Sequence, residues 1–239
     1  MQTVIDSFTF FGRHPALMWD KTLAHLAISF ASLGVALAIA IPLGVWLGHL
    51  HRASFLAINV SNVGRALPSL AVISILIGYL GIGFWNVLVA LVVLAAPVML
   101  TNAYVAVEQV DRNAVEAARA AGMTAWQVLT RVEMPLATPL IFAGVRTGSV
   151  YVVATATLAT FAGGGGLGDI IVNEPTYGVP GVIAGSLAII VLAFVIDGLL
   201  ALVQRATTPR PLRKRGRLGR ADAVVTTAPA TEDFVVQQS

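Results

Sequence analysis

The sequence predicts an all-α membrane protein of about five transmembrane helices, and three observations lead there. Hydrophobic residues make up 57% of the chain and charged residues 11%, a balance outside the soluble range. The apolar residues collect into runs at 23–50, 55–80, 84–107, 135–161 and 182–204, each long enough to cross about 30 Å of hydrocarbon as a helix. A polar, helix-forming island at 108–134 separates the third run from the fourth. The net charge of +3 comes mostly from a basic stretch near the C-terminus, so it carries topological information rather than a nucleic-acid signature. The chain has no cysteine, which excludes disulfides, thiolate nucleophiles and cysteine metal sites.

Residues 1–22 carry Arg13, His14, Asp20 and Lys21 among aromatics, without the compact basic start or cleavage site of a signal peptide, and read as an interfacial lead-in. The first span, 23–50, is too long for a signal-peptide core and contains Pro42, a site for a kink. His49, His51 and Arg52 then make a short polar turn. No carboxylate or third ligand accompanies the histidines, so a solvated interfacial turn is preferred to a metal site. The second span, 55–80, is interrupted by Arg65 and Pro68. Arginine at membrane depth costs about 2.5–3.5 kcal/mol, so Arg65 either snorkels to an interface or faces a translocation path. Gly81, Ile82 and Gly83 turn the chain into the third span, 84–107, which carries Pro97 and ends near Asn102 and Tyr104.

The island reads as an elbow of two short helices. Asp111 is placed to cap the first, its carboxylate accepting from free N–H groups at the positive end of the dipole. Val115 and Ala118 share one face of that helix, and Gly122 supplies the permissive backbone of its end. Thr124 and Gln127 have capping-box spacing for a second helix bearing Trp126, Leu129 and Val132, and Pro135 suits the first turn of the fourth span. That span, 135–161, carries Arg146 in its early turns. Gly163 to Gly166, Gly168 and Asp169 form a glycine-rich loop. It is no Walker A loop, because the chain has only Lys21 and Lys214 and neither lies in a Gly-Lys-Ser/Thr context. The fifth span, 182–204, holds Asp197, a carboxylate that either pairs with a neighbouring helix or water or serves function directly.

The elbow residues also spell a family. Glu116-Ala117-Ala118, then Gly122, then Val132-Glu133-Met134-Pro135 resemble the EAA loop of permease subunits of binding-protein-dependent ABC importers, with Val132 for Ile and Met134 for Leu. Arg65-Ala66-Leu67-Pro68-Ser69-Leu70-Ala71, Thr101-Asn102-Ala103-Tyr104, Glu108-Gln109-Val110-Asp111 and the segment from Gly163 through Leu167, Gly168, Asp169 and Ile170 to Ile171 resemble the osmoprotectant permeases within that group, which carry glycine betaine, choline, carnitine or proline betaine. Gly164 stands where many of them have Ala, and Thr101 where Arg is common.

The resemblance implies the MetI-like fold of type I importer permeases, with the loop at 108–134 forming cytoplasmic coupling helices. It implies no catalytic residue, metal or cofactor in this chain. Coupling to the ATPase would fall to Glu116, Ala117, Ala118, Gly122, Val132, Met134 and Pro135. Arg65, Pro68, Trp85, Tyr104 and Arg146 are candidates for the translocation path, and Gly165, Gly166, Gly168 and Asp169 for an extracytoplasmic loop. Trp85, Tyr104, Tyr151 and Phe161 are the aromatics available to attract a quaternary ammonium by cation-π contact. The implied partners are a separate ABC ATPase, an extracytoplasmic substrate-binding protein, a second permease subunit, the same or similar, and membrane lipid, with no nucleic acid.

A cytoplasmic elbow and five spans place residues 1–22 outside and 205–239 inside a bacterial plasma membrane. The basic residues Arg205, Arg210, Arg213, Lys214, Arg215, Arg217 and Arg220 then obey the positive-inside rule, while Arg13 and Lys21 go against it. The domain organisation expected is an extracytoplasmic lead-in at 1–22, a permease domain at 23–204 and a basic, then disordered, tail. Two other functions remain open: a methionine-type ABC permease, and a secondary transporter whose intramembrane Arg65, Arg146 and Asp197 form a relay.

Overall fold

The structure, a computed structural model, describes residues 2–50, 59, 62, 64 and 66–208. These form helices without a strand. In chain order they are α1 (Gln2–Arg13), α2 (Pro15–Leu50), α3 (Ser69–Leu80), α4 (Phe84–Glu108), α5 (Arg112–Ala120), α6 (Ala125–Val128), α7 (Met134–Thr155), α8 (Gly168–Val172) and α9 (Glu174–Thr207). A π-helical turn, Leu129–Glu133, joins α6 to α7, and a 3₁₀ segment, Ala156–Ala162, continues α7.

Among the described residues, four helices are long and apolar enough to cross a membrane: α2, α4, the continuous rod Ala125–Ala162, and α9. α3 is apolar but has 12 residues. At about 1.5 Å per residue it is too short to cross by itself. Pro68 starts it with extended geometry (φ −65°, ψ 119°), because proline has no N–H to continue a helix and its ring restrains the chain before it. Arg65, most of 51–65 and the tail from 209 onward lie outside the described residues.

Several boundaries differ from the sequence reading for local reasons. The lead-in is helical: α1 buries Phe10 and exposes Ile5 and Phe8, and α2 begins at Pro15, not at 23. α2 has 36 residues, about 54 Å of helix, so it overruns the hydrocarbon layer. α9 likewise begins at Glu174, before the expected 182, and breaks at Gly178 (φ 65°, ψ 171°). The second elbow helix does not stop before Pro135 but runs through the π-helical turn into α7. A proline ring clashes with the carbonyl four residues back. The wider turn, in which Met134 N–H donates to Leu129 O, lies immediately before Pro135.

α4 is the hub. Its Val87, Leu91, Ala95 and Met99 pack with Ile28, Ala36 and Ala40 of α2, Ile73 of α3 and Val152 of α7. Lipid is as apolar as these side chains, so close packing rather than water exclusion holds spans together. Gly44 and Gly48, one turn apart on α2, allow that approach. A Cβ on Gly44 would meet Ala103 Cβ at 2.7 Å, and one on Gly48 would meet Tyr104 O at 2.7 Å. A second cluster of Val45, Ala106, Val115, Ala118, Val128, Leu129 and Ala137 seats the elbow on the ends of the spans.

Candidate functional site

The elbow forms as its capping residues dictate. Asp111 accepts from Asn113 N–H at 2.9 Å and starts α5. Thr124 Oγ1 accepts from Gln127 N–H at 3.3 Å, and Gln127 Oε1 accepts from Thr124 N–H at 2.8 Å, closing the capping box of α6. Thr124→Ala is expected to cost about 1 kcal/mol locally, seen as faster hydrogen exchange at Gln127 and Val128 without loss of the spans. Between the two helices Gly122 has φ +81°, and a Cβ there would meet nothing within 4 Å. The bend therefore depends on backbone conformation, not on space.

The elbow has two faces. Val115, Ala118, Val128 and Leu129 are buried against the spans, while Glu116, Ala117 and Trp126 are exposed, Trp126 by 71%. Ala118, named with Ala117 for coupling, faces the spans beside Val115, on the face the two share. Val132, Met134 and Pro135 are half-buried at the root of α7.

At this root the structure brings together two residues far apart in sequence. His49 Nδ1 lies 2.6 Å from Glu133 Oε2, with side-chain exposures of 13% and 0%. His49, one residue before the end of α2, is a part-buried partner of the elbow, which corrects the reading of a solvated turn. A carboxyl group at this depth requires a hydrogen-bond partner, and His49 Nδ1 supplies it.

The other candidates separate. Arg146 forms a two-pronged pair with Asp197, Nε to Oδ1 at 2.8 Å and Nη2 to Oδ2 at 2.7 Å, and donates through Nη1 to Gln204 Oε1 at 3.2 Å. Gln204 Nε2 donates onward to Pro139 O at 2.8 Å. This network clamps α7 to α9, as the neighbour-helix reading of Asp197 expected. Tyr104 is fully buried, with its backbone against Gly44 and Gly48 of α2. Trp85 is 70% exposed at the start of α4, with Phe84 edge-on at 5.8 Å. Tyr151 and Phe161 are also exposed, and the four aromatics form no cage in the described residues.

The glycine-rich loop folds back on the span ends. Asp169 takes a 2.6 Å salt bridge from Lys21 and a hydrogen bond from Thr160. Gly166 lies over His25, whose Nε2 is 3.0 Å from Val153 O. Gly165 faces Asp169, and Gly168 packs on Thr157. The loop is thus a tie between the start of α2, the end of α7 and α8.

Comparison with known proteins agrees with this architecture. Residues 40–209 match the family described as binding-protein-dependent transport system inner membrane component. The chain belongs to this family. As a member it is a permease subunit of an ABC importer, a multi-pass membrane protein rather than an enzyme, which removes the secondary-transporter reading. It is 38% identical over 198 residues to the glycine betaine/carnitine/choline transport system permease protein OpuCB of Bacillus subtilis, covering 81% of this chain and 89% of that protein. It is 35% identical over 207 residues to the carnitine transport permease protein OpuCB of Listeria monocytogenes, covering 86% and 95%. Among solved structures, the MetNI methionine ABC transporter in an inward-facing form is similar with a TM-score of 0.73 over 82% of this chain and 99% of that one. At 23% identity this last likeness shows the MetI-like permease fold alone.

Proposed function

We propose that this permease is the membrane-spanning subunit of an ATP-driven importer of quaternary ammonium osmoprotectants: glycine betaine, choline or carnitine. The observation that carries this reading is the identity of 38% and 35%, each over more than four-fifths of the chain, to permeases named for those solutes. The likeness to a methionine transporter, at 23% identity, is one of fold.

In this reading a separate extracytoplasmic protein delivers the solute, two permease subunits enclose the path, and an ABC ATPase drives the cycle. The elbow faces the cytoplasm, with residues 1–22 outside and the basic tail inside. Glu116, Ala117 and Trp126 form the face presented to the ATPase, Glu116 offering a charge and an acceptor. Gly122 sets the bend, and Pro135 marks where elbow motion enters α7. Closing of the ATPase dimer then biases a two-state permease by turning its helices as rigid rods. Trp85, Pro68 and Arg65 remain path candidates, and Arg146 serves as a clamp.

Reconstituting the permease with its ATPase and binding protein in liposomes tests the assignment. Uptake of labelled glycine betaine, choline or carnitine is expected to require ATP and to resist excess methionine. Uptake without ATP, or competition by methionine, would overturn it.

A further inference from the structure

We propose that His49 and Glu133 are positioning residues which carry elbow motion into the first spanning helix, a role that rests on the coupling reading of the elbow. Glu133 falls four residues after Leu129 and four before Ala137, both buried, so a carboxylate sits in an otherwise apolar stripe aimed at the core. It lies in the π-helical turn Leu129–Glu133, where the elbow becomes α7, and such turns are rare and concentrate at functional sites. Its Oε2 is held at 2.6 Å by the penultimate residue of α2, and its Oε1 has no partner among the described residues.

Among the described residues, the other contact between this end of α2 and the elbow root is apolar, through Val45. Apolar surfaces hold helices together but tolerate sliding and rotation. A short hydrogen bond between a part-buried imidazole and a fully buried carboxyl fixes direction, so the pair makes α2 follow the base of α7 when the elbow turns. Among the described residues, this polar link couples two spans to one elbow.

A purely structural pair behaves differently from a transmitting one. Leaving one buried partner unpaired is costly, whereas replacing both with apolar groups of similar shape is close to neutral for stability. The test therefore compares Glu133→Leu, His49→Leu, the double variant and Glu133→Gln in the full reconstituted transporter. Thermal stability, ATP hydrolysis and uptake are measured with whichever of labelled glycine betaine, choline and carnitine the wild type takes up. Each leucine single is expected to lower the melting temperature and the double to recover it. In the recovered double, ATP hydrolysis persists while solute moved per ATP falls roughly tenfold, within the span of couplings between sites. Glu133→Gln keeps an acceptor for His49 and is expected to retain most of the wild-type ratio.

A double variant with recovered stability and a wild-type ratio would overturn the inference while leaving the elbow assignment standing. So would a Glu133→Gln protein as uncoupled as the double. A wild type whose uptake is indifferent to the ATPase would overturn both.

Discussion

Gly122→Val is expected to insert normally and to lose ATP-driven uptake by more than roughly tenfold, a factor equivalent to about 1.4 kcal/mol. The residue sits at φ +81° with open space where a Cβ would go. The Cβ of valine therefore meets no neighbour, but a β-branched residue is strained in the left-handed backbone, at a cost of about 1–2 kcal/mol. That is too little to unfold a chain whose spans pack elsewhere, yet it is concentrated at the bend between α5 and α6. The bend relaxes, and the face carrying Glu116, Ala117 and Trp126 turns away from its partner. Gly122→Asn, which tolerates positive φ better, is expected to keep more activity. Immunoblots of membranes and uptake assays on the same preparations check both halves. Full uptake by a correctly inserted valine variant would separate the bend from function.

Asp197→Ala is expected to have the largest effect on stability. It removes both acceptors of the Arg146 fork and leaves a guanidinium between α7 and α9 with Gln204 as its remaining side-chain partner. An arginine left without its carboxylate inside an apolar span is costly, less so here because about a third of its side chain is exposed, yet still large against the small net stability of a folded chain. The amount of folded protein in the membrane should fall several-fold, with a clear drop in melting temperature in detergent. Arg146→Leu/Asp197→Leu should recover both, since apolar replacement of a whole ion pair is often neutral. If Arg146 is a clamp, uptake returns with stability. A stable double variant without uptake would return Arg146 to the translocation path.

Much of the fold was legible because its signals are local. The long apolar runs marked α2, α4, α7 and α9, and Asp111, Gly122, Thr124 and Gln127 marked the elbow at the positions where the structure caps and bends it. The boundaries were less legible where polar residues lie inside continuous helices: Asp20 and Lys21 fall within α2, and Glu174 begins α9. Pro135 does sit in the first turn of α7, as the sequence indicated, but the π-helical turn before it joins that helix to the elbow without a break.

Pairings across sequence were the hidden part. His49 and Glu133 are 84 residues apart and Arg146 and Asp197 are 51 apart, so neither pair has a spacing rule to announce it. One signal for Glu133 was available nonetheless. The stripe Leu129, Ala137, Ile141, Val145 repeats every four residues through position 133, and a charge on a buried stripe requires a partner. Tyr104 is another case where the sequence is silent on surroundings: an aromatic in a transport protein attracts a role in recognition, and the structure shows its side chain fully buried in this chain.

The orientation and exposure of the elbow test the account most directly, and the absence of native cysteine makes a single reporter clean. Ala117→Cys places a thiol on the exposed face of α5. A membrane-impermeant maleimide should label it in inside-out vesicles and fail to do so in right-side-out ones, and assembly with the ATPase should protect it. Labelling from the outer side, or equal labelling with and without the ATPase, would contradict the assignment of this elbow as the coupling element.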